Sequence, residues 1–385
     1  MIRYGSPEQS HKDSSKMRLK LFSAFAFFYC DLLLATPHSL GIRPPDNGDS
    51  IAYDMNGAGQ VAAVLRDESG DQHAVLYDGS KLIQIGTLGG HESDAVRINV
   101  RGEVVGSANR KDGTWGAYFF TSQNGITDLG TLGGPNSHGT AINNRGEVVG
   151  FSDLANHEWH AFFYRPGDRL KDLGTLGGKV SYASAINNHG QIVGTATLAN
   201  GFRHAFIYDD EHGMVDLGTL GGRVSYAASI NDSGTVVGAS ETAERDWHAF
   251  IYDGRKMRDL GNLFGQWDSY PVSINNVGHV VGSLKLNDNR RSFVWHNGLM
   301  SVHRSGVTGL YRINSINDAG VIIGATYGVH LNAATMLSST LPPKTDGSSL
   351  SLGDSYLLNR VLFVLFMVAL VIMFRGRYKG IVFRR

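Results

Sequence analysis

Between Ser50 and Leu337 the apolar residues come in short bursts, and no stretch holds the three- and four-residue spacing of an amphipathic helix. In the stretch from Thr140 to Leu173 the bursts predict four strands, at 140–143, 147–152, 160–164 and 170–173. Asn144-Arg145-Gly146 separates the first two, and Arg165-Pro166-Gly167-Asp168 the last two. Asparagine and glycine there tolerate the positive φ that tight hairpins require. Val148-Val149 and Phe162-Phe163-Tyr164 are apolar at consecutive rather than alternating positions, which suits strands covered on both faces.

This unit recurs. Taking the asparagine of each Ile-Asn pair as a ruler, copies fall at Asn99, Asn143, Asn187, Asn231, Asn275 and Asn317, with a degenerate copy at Asn56. The steps are 42 to 44 residues. Four strands in a period of that length is the pattern of a β-propeller blade. A β-solenoid is the competing repeat architecture, but its rungs are usually shorter and antiparallel hairpins fit blades better. The expected fold class is therefore all-β, a propeller of seven four-stranded blades followed by one C-terminal transmembrane helix. The seventh repeat lacks the DLGTLGG that ends others, while Ser39-Leu40-Gly41 stands spare ahead of the first. Pairing of this N-terminal strand with the chain near 333–337 would complete the last blade and leave no long exposed edge.

Three motifs recur together at fixed offsets: HAF[FI]Y (from His160, His204 and His248), DLGTLGG (from Asp128, Asp172 and Asp216) and INxxGxVVG. Over about residues 83 to 324 they resemble the HAF-repeat family of bacterial extracellular proteins. The resemblance implies an exported repeat protein and no established activity. The outer copies depart from it, with His73-Ala74-Val75 and Gly116-Ala117-Tyr118 early and Arg291-Ser292-Phe293 and Asn332-Ala333-Ala334 late.

The two ends of the chain are of different composition. Residues 1–38 read as a polar extension and a secretory signal, in which Met17-Arg18-Leu19-Lys20 precedes an apolar run and Met17 is a candidate start. The repeats occupy 39–337. Residues 338–355 are rich in serine, proline and glycine and read as a flexible stalk. Residues 356–374 are expected to form a helix of about 28 Å, close to the thickness of a bilayer core. The tail at 375–385 carries Arg375, Arg377, Lys379, Arg384 and Arg385 and no acid. The positive-inside rule leaves this tail in the cytoplasm and the repeats outside, the orientation that the N-terminal signal gives independently.

The formal net charge of zero hides that division. Residues 51–360 hold 24 basic and 30 acidic side chains, a net of −6, and an acidic ectodomain without basic stripes argues against nucleic acid. Cys30 is the only cysteine, so no intramolecular disulfide forms and stability rests on burial.

Most motif-like chemistry is absorbed by the repeat. His73, His160, His204 and His248 come from different blades at one strand position, so a structural hydrogen bond is expected of them rather than a shared metal. His157-Glu158-Trp159-His160 is one residue short of a zinc-helix motif and leads into a strand. The glycines of DLGTLGG are followed by no Lys-Ser/Thr and no helix. No metal, cofactor or catalytic residue is assigned.

Variation is concentrated elsewhere. Five residues before the ruler asparagine stand Asp94, His138, Tyr182, Tyr226, Tyr270 and Arg312, the first five preceded by Ser93, Ser137, Ser181, Ser225 and Ser269. Trp115, Trp159 and Trp247 stand just before the third strand. In a propeller the loops entering the innermost strand and those joining strands two and three share a face, so these nine residues are expected on one recognition surface. Packing between blades is the alternative for them. The favoured function is an extracytoplasmic, membrane-anchored module that binds a protein or a glycan. An enzyme acting on surface glycans is the runner-up and would need a converging acid and base among Asp94, Asp268, Glu241 and Asp246. A surface protein without a specific ligand is the third reading.

Overall fold

The computed structural model describes residues 38–40, 42, 49–261, 268–286, 289–303, 312–326 and 333–338. The expected signal peptide, stalk, transmembrane helix at 356–374 and basic tail lie essentially outside them. Among the described residues no helix is long and apolar enough to cross a membrane.

The repeat at 133–172 shows how each blade is made. Strands Gly133–Ile142, Val148–Leu154, Trp159–Tyr164 and Lys171–Asp172 pair antiparallel in chain order. Ile142 pairs with Val148 at one end of the blade and Gly133 with Leu154 at the other. The Asn143 turn and the hairpin entering Trp159 therefore lie at opposite ends. Val148, Val149 and Phe162 are fully buried and Phe163 is 6% exposed, as consecutive apolar residues in a two-sided strand require.

Six sheets are built this way from one repeat each, here numbered blades 1 to 6: residues 49–84, 89–128, 133–172, 177–216, 221–259 and 268–303. The expectation of seven such blades is corrected to six. The remaining strands form a composite sheet, in which Arg312–Ile316, Val321–Thr326 and Ala333–Ser338 are joined by His38–Ser39. The N-terminal pair runs antiparallel to the last strand, with His38 opposite Met336 and Ser39 opposite Thr335. This sheet meets blade 6 through a cluster of Val281, Ile313, Ile316 and Ile322. It meets blade 1 where Ile323 packs with Ala52, Val61 and Leu65, and where Asn314 Nδ2 donates to the Ala52 carbonyl at 2.7 Å.

The innermost strand is longer than the expected 140–143, beginning at Gly133. Sequence periodicity misses this because the strand is broken by bulges between Gly133 and Ser137 and between Gly139 and Ala141. The glycines make room for it. A Cβ on Gly134 would collide with the Asp153 carboxylate and the Leu154 carbonyl, and one on Gly150 with the His138 carbonyl and the Phe162 ring. DLGTLGG is thus a turn leading into a strand that approaches its neighbour too closely for any side chain.

Adjacent blades are joined by the ruler asparagines. Asn143 Oδ1 accepts the backbone N–H of Arg145 and Glu147 and so shapes its own hairpin. Its Nδ2 donates to the Asn187 carbonyl of the next blade at 3.1 Å. The same donation runs from Asn56 to Asn99, Asn99 to Asn143, Asn187 to Asn231, Asn231 to Asn275 and Asn275 to Asn317. A second ladder lies one residue on, where Asn144 N–H donates to Asn188 Oδ1, Asn188 to Asp232, Asp232 to Asn276 and Asn276 to Asp318. Several of these amides also donate within their own hairpin, as Asn143 does to Glu147 and Asn187 to Gln191, but the second bond comes from the neighbouring blade, so each repeat depends on the next.

Candidate binding face

At the other blade end, the serines expected to accompany the recognition residues prove to be internal ties. Ser137, Ser181, Ser225 and Ser269 are 0% exposed. Ser181 Oγ accepts the N–H of Ala161, the alanine of the preceding blade's HAF, at 2.8 Å and donates to the Gly174 carbonyl at 2.5 Å. Ser93, Ser137, Ser225 and Ser269 accept from Ala74, Ala117, Ala205 and Ala249 in the same way. The HAF histidines also stay within the scaffold. His160 pairs with Asp172, His204 with Asp216 and His248 with Asp259 at 2.7–2.9 Å, each joining strand three to the DLG aspartate of strand four. In blade 2 glycine replaces the histidine, and Arg110 reaches Asp128 instead at 2.6 and 2.9 Å.

The variable position follows each serine on the innermost strand itself, not on a loop before it. His138 pairs with Phe151, Tyr182 with Thr195, Tyr226 with Ala239 and Tyr270 with Ser283. Alternation sends each serine into the blade interface and its neighbour to the opposite side, where His138 and the three tyrosines are half-buried. The tryptophans enter from the hairpin between strands two and three and interleave with them. His138 lies between Trp115 and Trp159, with ring centroids 5.9 and 5.8 Å away. Trp247 lies between Tyr226 of its own blade and Tyr270 of the next, at 5.7 and 6.3 Å. Phe151 joins Trp159 to Tyr182 by edge-on contacts at 5.5 and 5.0 Å.

Seven of the nine expected residues are thus brought into two aromatic runs: Trp115–His138–Trp159–Tyr182, and Tyr226–Trp247–Tyr270. The expectation set facing outward against packing between blades, but these side chains pack against one another and are still partly exposed. Arg312 is exposed at the corresponding position of the composite sheet. Asp94 is drawn inward, its carboxylate accepting the Ser107 N–H at 2.6 Å. Burial pushes this carboxyl up to about 6. His138 is held below the ordinary imidazole range by desolvation. Desolvation, with Asp268 close by, pushes the Tyr270 hydroxyl up to about 12, and Tyr226 is raised further by the same cause.

Phe151 was not among the expected residues. Its signal was a phenylalanine where Ser107, Thr195, Ala239 and Ser283 occupy the same place in other repeats. The four acids considered for catalysis do not form a pair. Glu241 accepts the Arg223 N–H at 2.7 Å, and Asp268 accepts the Trp247 N–H and the Tyr270 hydroxyl. Asp246 lies at an exposed hairpin tip. Among the described residues no group of His, Cys, Asp or Glu is arranged to hold a metal ion.

No protein-family model and no curated protein matches this sequence. Solved structures do. The β-propeller domain of the Trilobed protease from Pyrococcus furiosus, which has an open velcro topology, is similar at 13% identity and a TM-score of 0.55, over 83% of this chain and 98% of that one. A puromycin-hydrolyzing peptidase from Mycobacterium tuberculosis is similar at 11% identity and a TM-score of 0.54, over 80% of this chain and 55% of that one. The chain is a β-propeller. At such identities the likeness defines the fold and carries no activity with it.

Proposed function

We propose that this chain is an extracytoplasmic, membrane-anchored propeller of the HAF-repeat type that binds a protein or glycan through its aromatic end. The N-terminal signal-like segment and the apolar stretch at 356–374 before a basic tail support export and anchoring, with the repeats outside.

The observation that carries the binding role is the interleaving of Trp115, His138, Trp159, Tyr182, Tyr226, Trp247 and Tyr270 across successive blades. Large rings with polar tips, held in fixed places by a rigid scaffold, offer contact area at small entropic cost. Of the four acids considered for catalysis, Asp94, Glu241 and Asp268 accept backbone N–H groups and Asp246 is exposed at a hairpin tip, which favours binding over acid–base catalysis. Replacing Tyr226 or Trp247 by alanine should cost about 2 kcal/mol, below the loss for a fully buried aromatic, and leave the circular dichroism spectrum unchanged. Capture of material from a cell-surface extract by the full-length protein should fall at least tenfold in each variant. Folded variants that capture as well as wild type would refute the role of this face.

A further inference from the structure

Arginine takes the tryptophan position in two of the blades. Arg203 pairs with Thr197 as Trp159 pairs with Asp153 and Trp247 with Glu241. It therefore occupies the tryptophan position of blade 4, between the strands that carry Tyr182 and Tyr226. Arg290 pairs with Lys285 and holds the same position in blade 6, near enough to Tyr270 to act on its hydroxyl electrostatically. Arg223, just after the glycine pair of blade 5, lies over the exposed Phe202 ring of blade 4 at 5.5 Å. Arg312 follows in the composite sheet. All four side chains are exposed, and none forms an ion pair among the described residues.

The acids nearby are differently placed. Glu158 pairs with Lys179, while Glu241 and Asp268 accept backbone N–H groups. Glu244 and Asp246 are exposed at the hairpin tip of blade 5, so the positive positions fall to either side of Trp247 rather than on it. A guanidinium keeps its charge, is weakly hydrated and offers a planar fork of donors that matches a carboxylate or sulfate. Exposed arginines interspersed with the aromatic rings, two of them at one repeat position, suit a ligand in which rings and anions alternate.

We infer that the ligand is an anionic polysaccharide. Sugar rings lie on the tyrosine and tryptophan faces through their C–H surfaces, and the acidic substituents reach Arg203 and Arg290, with Arg223 and Arg312 beside them. This deepens the binding role proposed above and rests on it. The repeat of the propeller then matches the repeat of the polymer, and several weak contacts act together.

The test uses full-length protein in a mild detergent, immobilised, with three soluble probes: polygalacturonate, the same polymer with its carboxyls methyl-esterified, and dextran sulfate. Polygalacturonate, dextran sulfate or both should bind, the two arms telling carboxylate from sulfate recognition. Esterification should weaken binding at least tenfold. The double variant Arg203→Gln/Arg290→Gln should lose a similar factor toward the anionic probe, while its melting temperature stays within a few degrees of wild type. Binding that ignores both esterification and the arginine substitutions overturns the inference, as does failure of both anionic probes to bind. The aromatic variants separate the two readings. If Tyr226→Ala abolishes capture from a surface extract while Arg203→Gln/Arg290→Gln does not, the face stands and the anionic ligand falls. Capture from that extract that is destroyed by protease identifies a protein ligand and overturns the inference as well.

Discussion

The two ends of each blade obey opposite rules. At the turn end the same side chain appears at Asn56, Asn99, Asn143, Asn187, Asn231, Asn275 and Asn317, and the amide of each of the first six spans to the next blade. At the other end the position after the serine changes from Asp94 to His138, then to tyrosine, then to Arg312. The difference follows from what surrounds each group. The asparagine amide is buried and has a single backbone carbonyl within reach, so only one side chain length and one donor fit. The variable residue meets other side chains and solvent, where several chemistries can be accommodated. One end is scaffold, and the other is free to be surface.

Breaking the scaffold end should have the largest effect. Asn187→Asp keeps the oxygen that caps its own hairpin but removes the amide that donates to the Asn231 carbonyl and to Gln191. It leaves a buried carboxylate facing two acceptors. The expected loss is about 3 kcal/mol or more, read as a shift of the urea midpoint. Tyr182→Phe on the opposite end should stay within about 0.5 kcal/mol. Equal losses from the two substitutions would erase the distinction.

An intermediate effect, and a gain, is expected at Asp94. Its carboxyl titrates near 6 in the fold against an ordinary value of 3.8. Such a raised carboxyl favours the native state only when protonated. Its contribution is greatest below the unfolded value, declines as pH rises towards 6 and is level above that. Asp94→Asn removes the decline and can still accept the Ser107 N–H. The variant should be more stable than wild type by about 2 kcal/mol at pH 7.5, with the gain shrinking through pH 6 to 4. A gain that persists unchanged at pH 3.5 would show that burial of the charge is not its cause.

The smallest effect concerns a position where the scaffold itself varies. Blade 2 holds its strand-four Asp128 with Arg110 at the end of strand two, where blades 3 to 5 use a histidine of strand three on the equivalent aspartate. A Cβ at Gly116 would run into the end of the Leu88 side chain and the Arg110 guanidinium. Gly116→His alone should therefore cost about 1–2 kcal/mol, and adding Arg110→Leu, the residue of blades 3 and 4, should restore most of it. Additive losses in the double variant would mean that the two ties are not interchangeable.

What the sequence determined by itself was everything that depends on near neighbours in the chain. The period, four strands per repeat, the Asn-x-x-Gly hairpins and the double coverage of Val148-Val149 and Phe162-Phe163 are all local. Alternation, turn chemistry and apolar runs act over a few residues and can be read directly. The position of the nine variable residues at one blade end was also legible, because strand direction places every hairpin at one end or the other. What only the tertiary structure decided were relations between residues on different strands and different blades, most of them about 20 or 44 positions apart. These include the serine ties to the preceding HAF alanine, the asparagine ladders, the replacement of a histidine by Arg110, and the way Phe151 joins Trp159 to Tyr182. The bulged start of the innermost strand belongs with them, since Gly134 answers to the Asp153 side chain and the Leu154 carbonyl rather than to any local preference. Hydrogen bonds and ring contacts are short and directional, so a repeat pattern says which groups recur but not which will meet. That is settled when successive blades are stacked and each buried polar group must find its partner in the next.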